Sequence, residues 1–175
     1  MPFSTRRRQY SSADLTQANC QTTRLAIFDS RMEALSLLTE GLQPETKGHV
    51  LSPERDGVDQ ISALLCKMPA ANLTLVARGF AGGLHLGNST LTLSNLAEYE
   101  HQLRGWFFGV ENPSLSLLSS SVAKGQQGRD FISRLESITG ARVRASARPI
   151  GQGHWLTASA KTFKPVLLNT YSFII

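Results

Sequence analysis

The amino-acid sequence predicts a three-layer α/β sandwich with a mostly parallel central sheet, on three observations. The chain has 175 residues, about one domain by the usual size relation and long enough to bury a real core. At 41% hydrophobic and 18% charged residues it has neither the charge of a disordered chain nor the Glu and Lys content of a helical bundle. Short apolar runs alternate with amphipathic stretches, which is the βαβα rhythm of a parallel sheet.

Residues 1–23 are rich in Ser, Thr, Gln and Asn, lack helical or strand periodicity, and are expected to form a flexible basic tail. A single α/β domain is expected over residues 24–175. Its first strand is LAIF (25–28), and MEALSLLTEGL (32–42) follows as a helix stopped by Gly41 and Pro44. HVL (49–51) gives a strand and DGVDQISALLCKM (56–68) a helix. In the loop SPERDG before it, Glu54 and Asp56 resemble paired carboxylates, but Pro53 and Gly57 mark an entry into a helix, so Asp56 is predicted to be its N-cap. LTLVA (73–77) is a strand ending in a glycine-rich turn, and LHLG (84–87) with LTL (91–93) forms a hairpin joined by Asn88, Ser89 and Thr90. A long helix is predicted from a cap at Ser94 or Asn95 to near Gly109, with Leu96, Tyr99, Leu103, Trp106 and Phe107 on one face. LSLLS (115–119) is a strand, residues 125–140 a helix closed by Gly140, and RVRAS (142–146) a strand. A turn at 149–153, a strand HWLTAS (154–159) and an apolar end, PVLLNTYSFII, packed on the body complete the chain.

Net charge is +5, unevenly distributed. Residues 1–24 carry a net +3, residues 25–139 a net −3, and residues 140–175 a net +5 with no acidic side chain. Such basic ends can meet an acidic protein surface or a phosphate backbone by long-range attraction. No aromatic or glycine-rich nucleic-acid motif interleaves them, so solvated charge is the first reading and nucleic acid the lesser one. Cys20 and Cys66 give at most one disulfide and no metal-ligand spacing, so no cofactor or metal is expected. No run approaches the roughly 20 apolar residues of a membrane helix. The basic N-terminus is not followed by the apolar core of a secretory signal, and the cytoplasm is the expected location.

The blocks FDSRMEALSLLTEGLQPETKGHVLSPERDGVDQI, LVARGFAGGLHLGNSTLTLSNLAEYEHQLRGW, LSLLSSSVAKGQQGRDFISRLESITGARVRAS and GQGHWLTAS resemble, in that order, the domain of unknown function 4347. That domain is often found near the N-termini of large bacterial, notably cyanobacterial, repeat and adhesin-like proteins. The resemblance covers about residues 25–159. By its order of strand, glycine turn, hairpin and helix, the domain in turn resembles the CHAT and caspase-like cysteine peptidases. There a His ends one strand and a Cys ends the next, so that the imidazole activates the thiol. The matching positions here hold Arg78 and Ser120.

The resemblance therefore implies a degenerate dyad. An arginine stays protonated and cannot act as a base, and a serine without an adjacent base is a poor nucleophile. His85, His101 and His154 lie elsewhere and are read as structural. The expectation is a catalytically inactive caspase-like module that binds or assembles within a larger acidic bacterial complex, with Arg6, Arg7 and Arg8 making the partner contact. The alternatives are a hydrolase or peptidase using Ser120, and non-specific nucleic-acid binding. A small anion site at Arg78 and Ser120, helped by backbone N–H groups of Gly82–Gly83 and Gly125–Gly128, is a further alternative.

Overall fold

The computed structural model describes residues 24–148 and 162–164. In chain order the elements are β1 (Arg24–Asp29), α1 (Leu35–Glu40), β2 (Thr46–Leu51), α2 (Gly57–Lys67), β3 (Asn72–Val76), β4 (Gly79–Phe80), β5 (Gly83–Leu86), β6 (Ser89–Thr92), α3 (Glu100–Gly105), β7 (Ser114–Leu118), α4 (Gly125–Thr139) and β8 (Arg142–Ala145).

Five strands form one parallel sheet in the order β2-β1-β3-β7-β8. The apolar runs 25–28, 73–77 and 115–119 become its three central strands because only there is a strand covered on both faces. Right-handed crossovers then dictate the layers. The step from β1 out to β2 puts α1 on one face, and the return steps put α2, α3 and α4 on the other. Alternation along β1 follows suit: Leu25 and Ile27 enter the core beneath α2, α3 and α4, whereas Ala26 and Phe28 join Leu38 of α1 and Phe163 in a smaller core. Phe163 is fully buried and meets the Phe28 ring edge-on, with centroids 6.2 Å apart. The molecule is thus a three-layer α/β sandwich, with a small antiparallel sheet β4-β5-β6 set beside it.

Asp56 caps α2 as its residue type predicts. Its Oδ1 accepts from Val58 N at 2.8 Å and Asp59 N at 3.1 Å. Three sequence-based expectations need correction. The helix predicted from residue 32 begins at Leu35, because the Asp29 carboxylate accepts Arg31 N and Asp29 O accepts Met32 N. Residues 30–32 are thereby held in a turn, which an aspartate favours over helix, and Ala34 is left at φ 51. The hairpin loop is two residues, Gly87 and Asn88, since Leu86 pairs with Ser89. Gly87 takes the positive φ, +59, that such turns require. The long helix from Ser94 shrinks to α3, six residues. Asn95 is the reason: its side chain accepts Thr92 N and donates to Thr90 O, anchoring the segment to β6, and the chain winds on in single turns. The apolar stripe survives, with Leu96, Leu103, Trp106 and Phe107 all buried. The turn expected at 149–153, the strand at 154–159 and the apolar end lie outside the described residues.

Candidate functional site

In an open parallel sheet, ligands gather beyond the carboxyl ends of the strands where the order reverses, here between β1 and β3. Three strand exits meet at that end. Asp29, Ser30 and Arg31 follow from β1, Ala77, Arg78 and Gly79 from β3, and Ser119, Ser120 and Ser121 from β7. Val76 pairs with Leu118 in parallel register, so Arg78 and Ser120 stand at neighbouring positions, each two residues beyond its strand. Arg78 is exposed and Ser120 half-buried. A Cβ on Gly79 would lie 2.8 Å from Ser119 Cβ and 3.0 Å from Ser120 O, so the two exits are in contact through a glycine that has no room for a side chain.

Of the N–H groups named above for an anion site, Gly82 N donates to Val122 O at 3.0 Å, and Gly128 N donates to Lys124 O at 3.2 Å in the first turn of α4. Ser119 is fully buried and its Oγ has no partner among the described residues, while Ser121 holds a strained φ of 60. None of the described histidines ends β3 or β7. His49 lies within β2 and His101 on α3. His85 lies on β5, its Nδ1 3.1 Å from Thr90 Oγ1 and its ring against Phe80. Cys66 is exposed on α2. Among the described residues no three His, Cys, Asp or Glu side chains gather as a metal site, and no helix is long and apolar enough to cross a membrane. Arg6, Arg7 and Arg8 lie outside the described residues.

Sequence reasoning missed the best-connected group at this end, Asp29. Its carboxyl is 2% exposed and accepts from Arg31 Nε at 3.1 Å, Arg31 N at 2.9 Å and Gly87 N at 2.8 Å. Arg31 Nη2 also donates to Gly87 O. Burial pushes the carboxyl up, but these hydrogen bonds and the Arg31 charge outweigh it and hold the carboxyl below its ordinary value. The SPERDG loop docks on the same hairpin tip. Asn88 N donates to Arg55 O and Asn88 Nδ2 to Glu54 O, and Gly57 N donates to Ser89 Oγ. Tyr99 Oη donates to Asp56 Oδ2 at 2.7 Å. Burial raises the Asp56 carboxyl, yet the donors on it lower it on balance, and that bond raises the Tyr99 phenol. Gln60 clamps the loop by accepting Ser52 N and donating to Ser52 O, Arg55 O and Asp56 O. The signal was present as an Asp ending an apolar run, but a strand-end Asp reads equally as a solvated turn residue.

These motifs therefore converge in space: FDSR and SPERDG from the first quoted block and LHLG from the second build one hydrogen-bonded buckle across the carboxyl end of the sheet. No curated protein and no solved structure matches the chain. The sequence model of the family described as Domain of unknown function (DUF4347) matches residues 25–170, most of the chain, and the chain belongs to that family.

Proposed function

We propose that this domain is a non-catalytic, caspase-like binding module that attaches to an acidic protein assembly of a bacterial cytoplasm. The observation that carries the reading is the pair of adjacent strand exits. Where a caspase or CHAT peptidase presents a base and a thiol, this chain has the exposed guanidinium of Arg78 and the hydroxyl of Ser120. A guanidinium does not deprotonate at neutral pH and cannot take the serine proton. Of the glycine N–H groups that an oxyanion here could use, Gly82 N and Gly128 N already donate to Val122 O and Lys124 O. What the fold offers instead is a rigid sheet between two basic ends of the sequence, with Arg6, Arg7 and Arg8 supplying attraction to an acidic surface.

A serine-directed fluorophosphonate separates module from enzyme. The expected outcome is no covalent labelling, and stoichiometric labelling at Ser120, lost in Ser120→Ala, would sink the reading. Purification from the native source is expected to return the protein within an acidic complex. Recovery as a free monomer at low salt contradicts an assembly role.

A further inference from the structure

At the opposite end of the sheet, where the strands begin, the face shared with α1 is polar. In cross-strand register Arg24, Asn72, Ser114 and Arg142 form one row, and Thr74, Ser116 and Arg144 the next. Their intervening neighbours Leu25, Leu73, Leu115 and Val143 all point into the large core, so strand alternation sends these polar side chains to one common face. A cavity of about 170 Å³ opens over the rows, with Thr162 on its wall covering Thr74, whose Oγ1 lies 3.1 Å from Thr162 Oγ1, and it adjoins a second of about 230 Å³, the two sharing Asn112, Ser114 and Arg144. Among the described residues no acidic side chain lines either. Ser114 Oγ donates to Asn72 Oδ1 at 2.8 Å, which turns the amide NH₂ of Asn72 into a remaining donor. Arg24 has Glu45 3.5 Å away at its rim, whereas Arg142 and Arg144 are exposed and make no ion pair among the described residues.

We propose that this cup binds an extended acidic segment of a partner protein, its carboxylates meeting Arg142 and Arg144 beside the amide of Asn72 and the hydroxyl of Ser116. A donor-rich hollow with cations and no carboxylates is complementary to anions. Spacing selects the polypeptide. Arg142 and Arg144 are two strand residues apart, about 6.6 Å, which is the interval at which an extended chain presents alternate side chains on one face. A lone anion matches one guanidinium, and a segment with an acidic residue at every second position matches both. The segment lies across the face and does not extend the sheet, because Val143 N on the outer edge of β8 already donates to Glu136 Oε1 at 2.8 Å. The inference rests on the acidic-partner reading above and adds a place on the folded domain where that partner is read.

The test uses the full chain and two fluorescent heptapeptides of equal composition, each with two Glu in a Thr background, the alternating one with its Glu residues two positions apart and the other with them adjacent, so that only the first presents both on one face of an extended chain. Anisotropy is expected to show preferential binding of the alternating peptide, and Arg142→Gln with Arg144→Gln together should weaken it about tenfold. Arg6→Ala, Arg7→Ala and Arg8→Ala should leave the preference between the peptides intact, so a failed tail does not count against the cup. In the unsubstituted protein, the side-chain amide signal of Asn72 should shift on addition of the alternating peptide. Equal binding of both peptides, a double variant that binds as tightly as the parent, an unmoved Asn72 signal, or displacement by inorganic phosphate mole for mole would each overturn the proposal. The last would reduce the cup to a simple anion site.

Discussion

Asp29 is the residue on which the carboxyl end of the sheet hangs. A carboxylate taken almost wholly out of water is costly unless every lone pair finds a donor, and here Arg31 and Gly87 supply them. Asp29→Asn keeps the shape but removes the charge and turns one acceptor into a donor facing other donors. We expect a loss of about 2–4 kcal/mol at pH 7 by urea denaturation. The folded carboxyl sits below its ordinary value, so its contribution is present above the unfolded aspartate value, about 3.9, and disappears as pH falls through the lower folded one. The parent and Asp29→Asn should therefore converge in stability toward acid, and a difference that stays constant from pH 7 to 3 would refute the assignment. Ser119 is the converse case, a buried hydroxyl without a partner among the described residues. Ser119→Ala is expected to be neutral or to stabilise by up to about 1 kcal/mol, and a loss above that would reveal a hydrogen bond that Oγ does make.

At the scale of elements, two attachments hold the layers. Asp56 caps α2 and also accepts Tyr99 Oη, so Asp56→Ala should cost about 1–2 kcal/mol. Tyr99→Phe should cost about 1 kcal/mol, since it leaves the cap itself in place. If Tyr99→Phe proves as damaging as Asp56→Ala, the tyrosine bond and not the cap is the stronger tie. Phe163 closes the smaller core on Phe28 and Leu38, and Phe163→Ala should cost about 3–5 kcal/mol. A change under 1 kcal/mol would mean that residues 162–164 do not dock there. These elements show where the sequence was readable. Continuous apolar runs such as LAIF and LTLV betray a strand buried on both faces, and Asp56 betrays a cap, because in each the local chemistry and the tertiary fold demand the same thing. Reading failed where a side chain chose a distant or backward partner. Asn95 turned back on β6 and cut short a helix that the spacing of Leu96, Leu103 and Phe107 had implied. Asp29 held residues 30–32 in a turn and delayed α1. The buckle was invisible for the same reason: Asp29 and Gly87 are 58 residues apart and meet only in the folded sheet.

Over the whole molecule, the two ends of the sheet differ in how their charges are paired. The carboxyl end collects Asp29, ion-paired to Arg31, and Asp56, which accepts from Tyr99, beside the exposed Arg78. The amino end carries Arg24, Arg142 and Arg144, and Arg24, the first residue of β1, is also where the segment bearing Arg6, Arg7 and Arg8 joins the fold. In the proposed reading, a basic N-terminal segment and a basic cup divide labour in a predictable way. Charges on an arm act on encounter, so they govern the association rate and its salt dependence, whereas guanidiniums that fork onto carboxylates in a cup govern dissociation. With poly-L-glutamate as the probe, Arg6→Ala, Arg7→Ala and Arg8→Ala should slow association severalfold at low ionic strength and converge with the parent as salt is raised past about 0.15 M, where screening acts within about 8 Å. Arg142→Gln with Arg144→Gln should instead quicken dissociation and leave the encounter rate nearly unchanged. Arg142→Gln with Arg144→Gln should not move the melting temperature appreciably, because both side chains are exposed and make no ion pair among the described residues. Duplex DNA of matched charge provides the contrast. A purely electrostatic binder prefers the denser phosphate lattice and loses it steeply with salt, whereas a site spaced for alternate carboxylates keeps its preference for polyglutamate. Tighter binding of DNA at every salt concentration would show that the basic pole serves nucleic acid and would end the acidic-partner account.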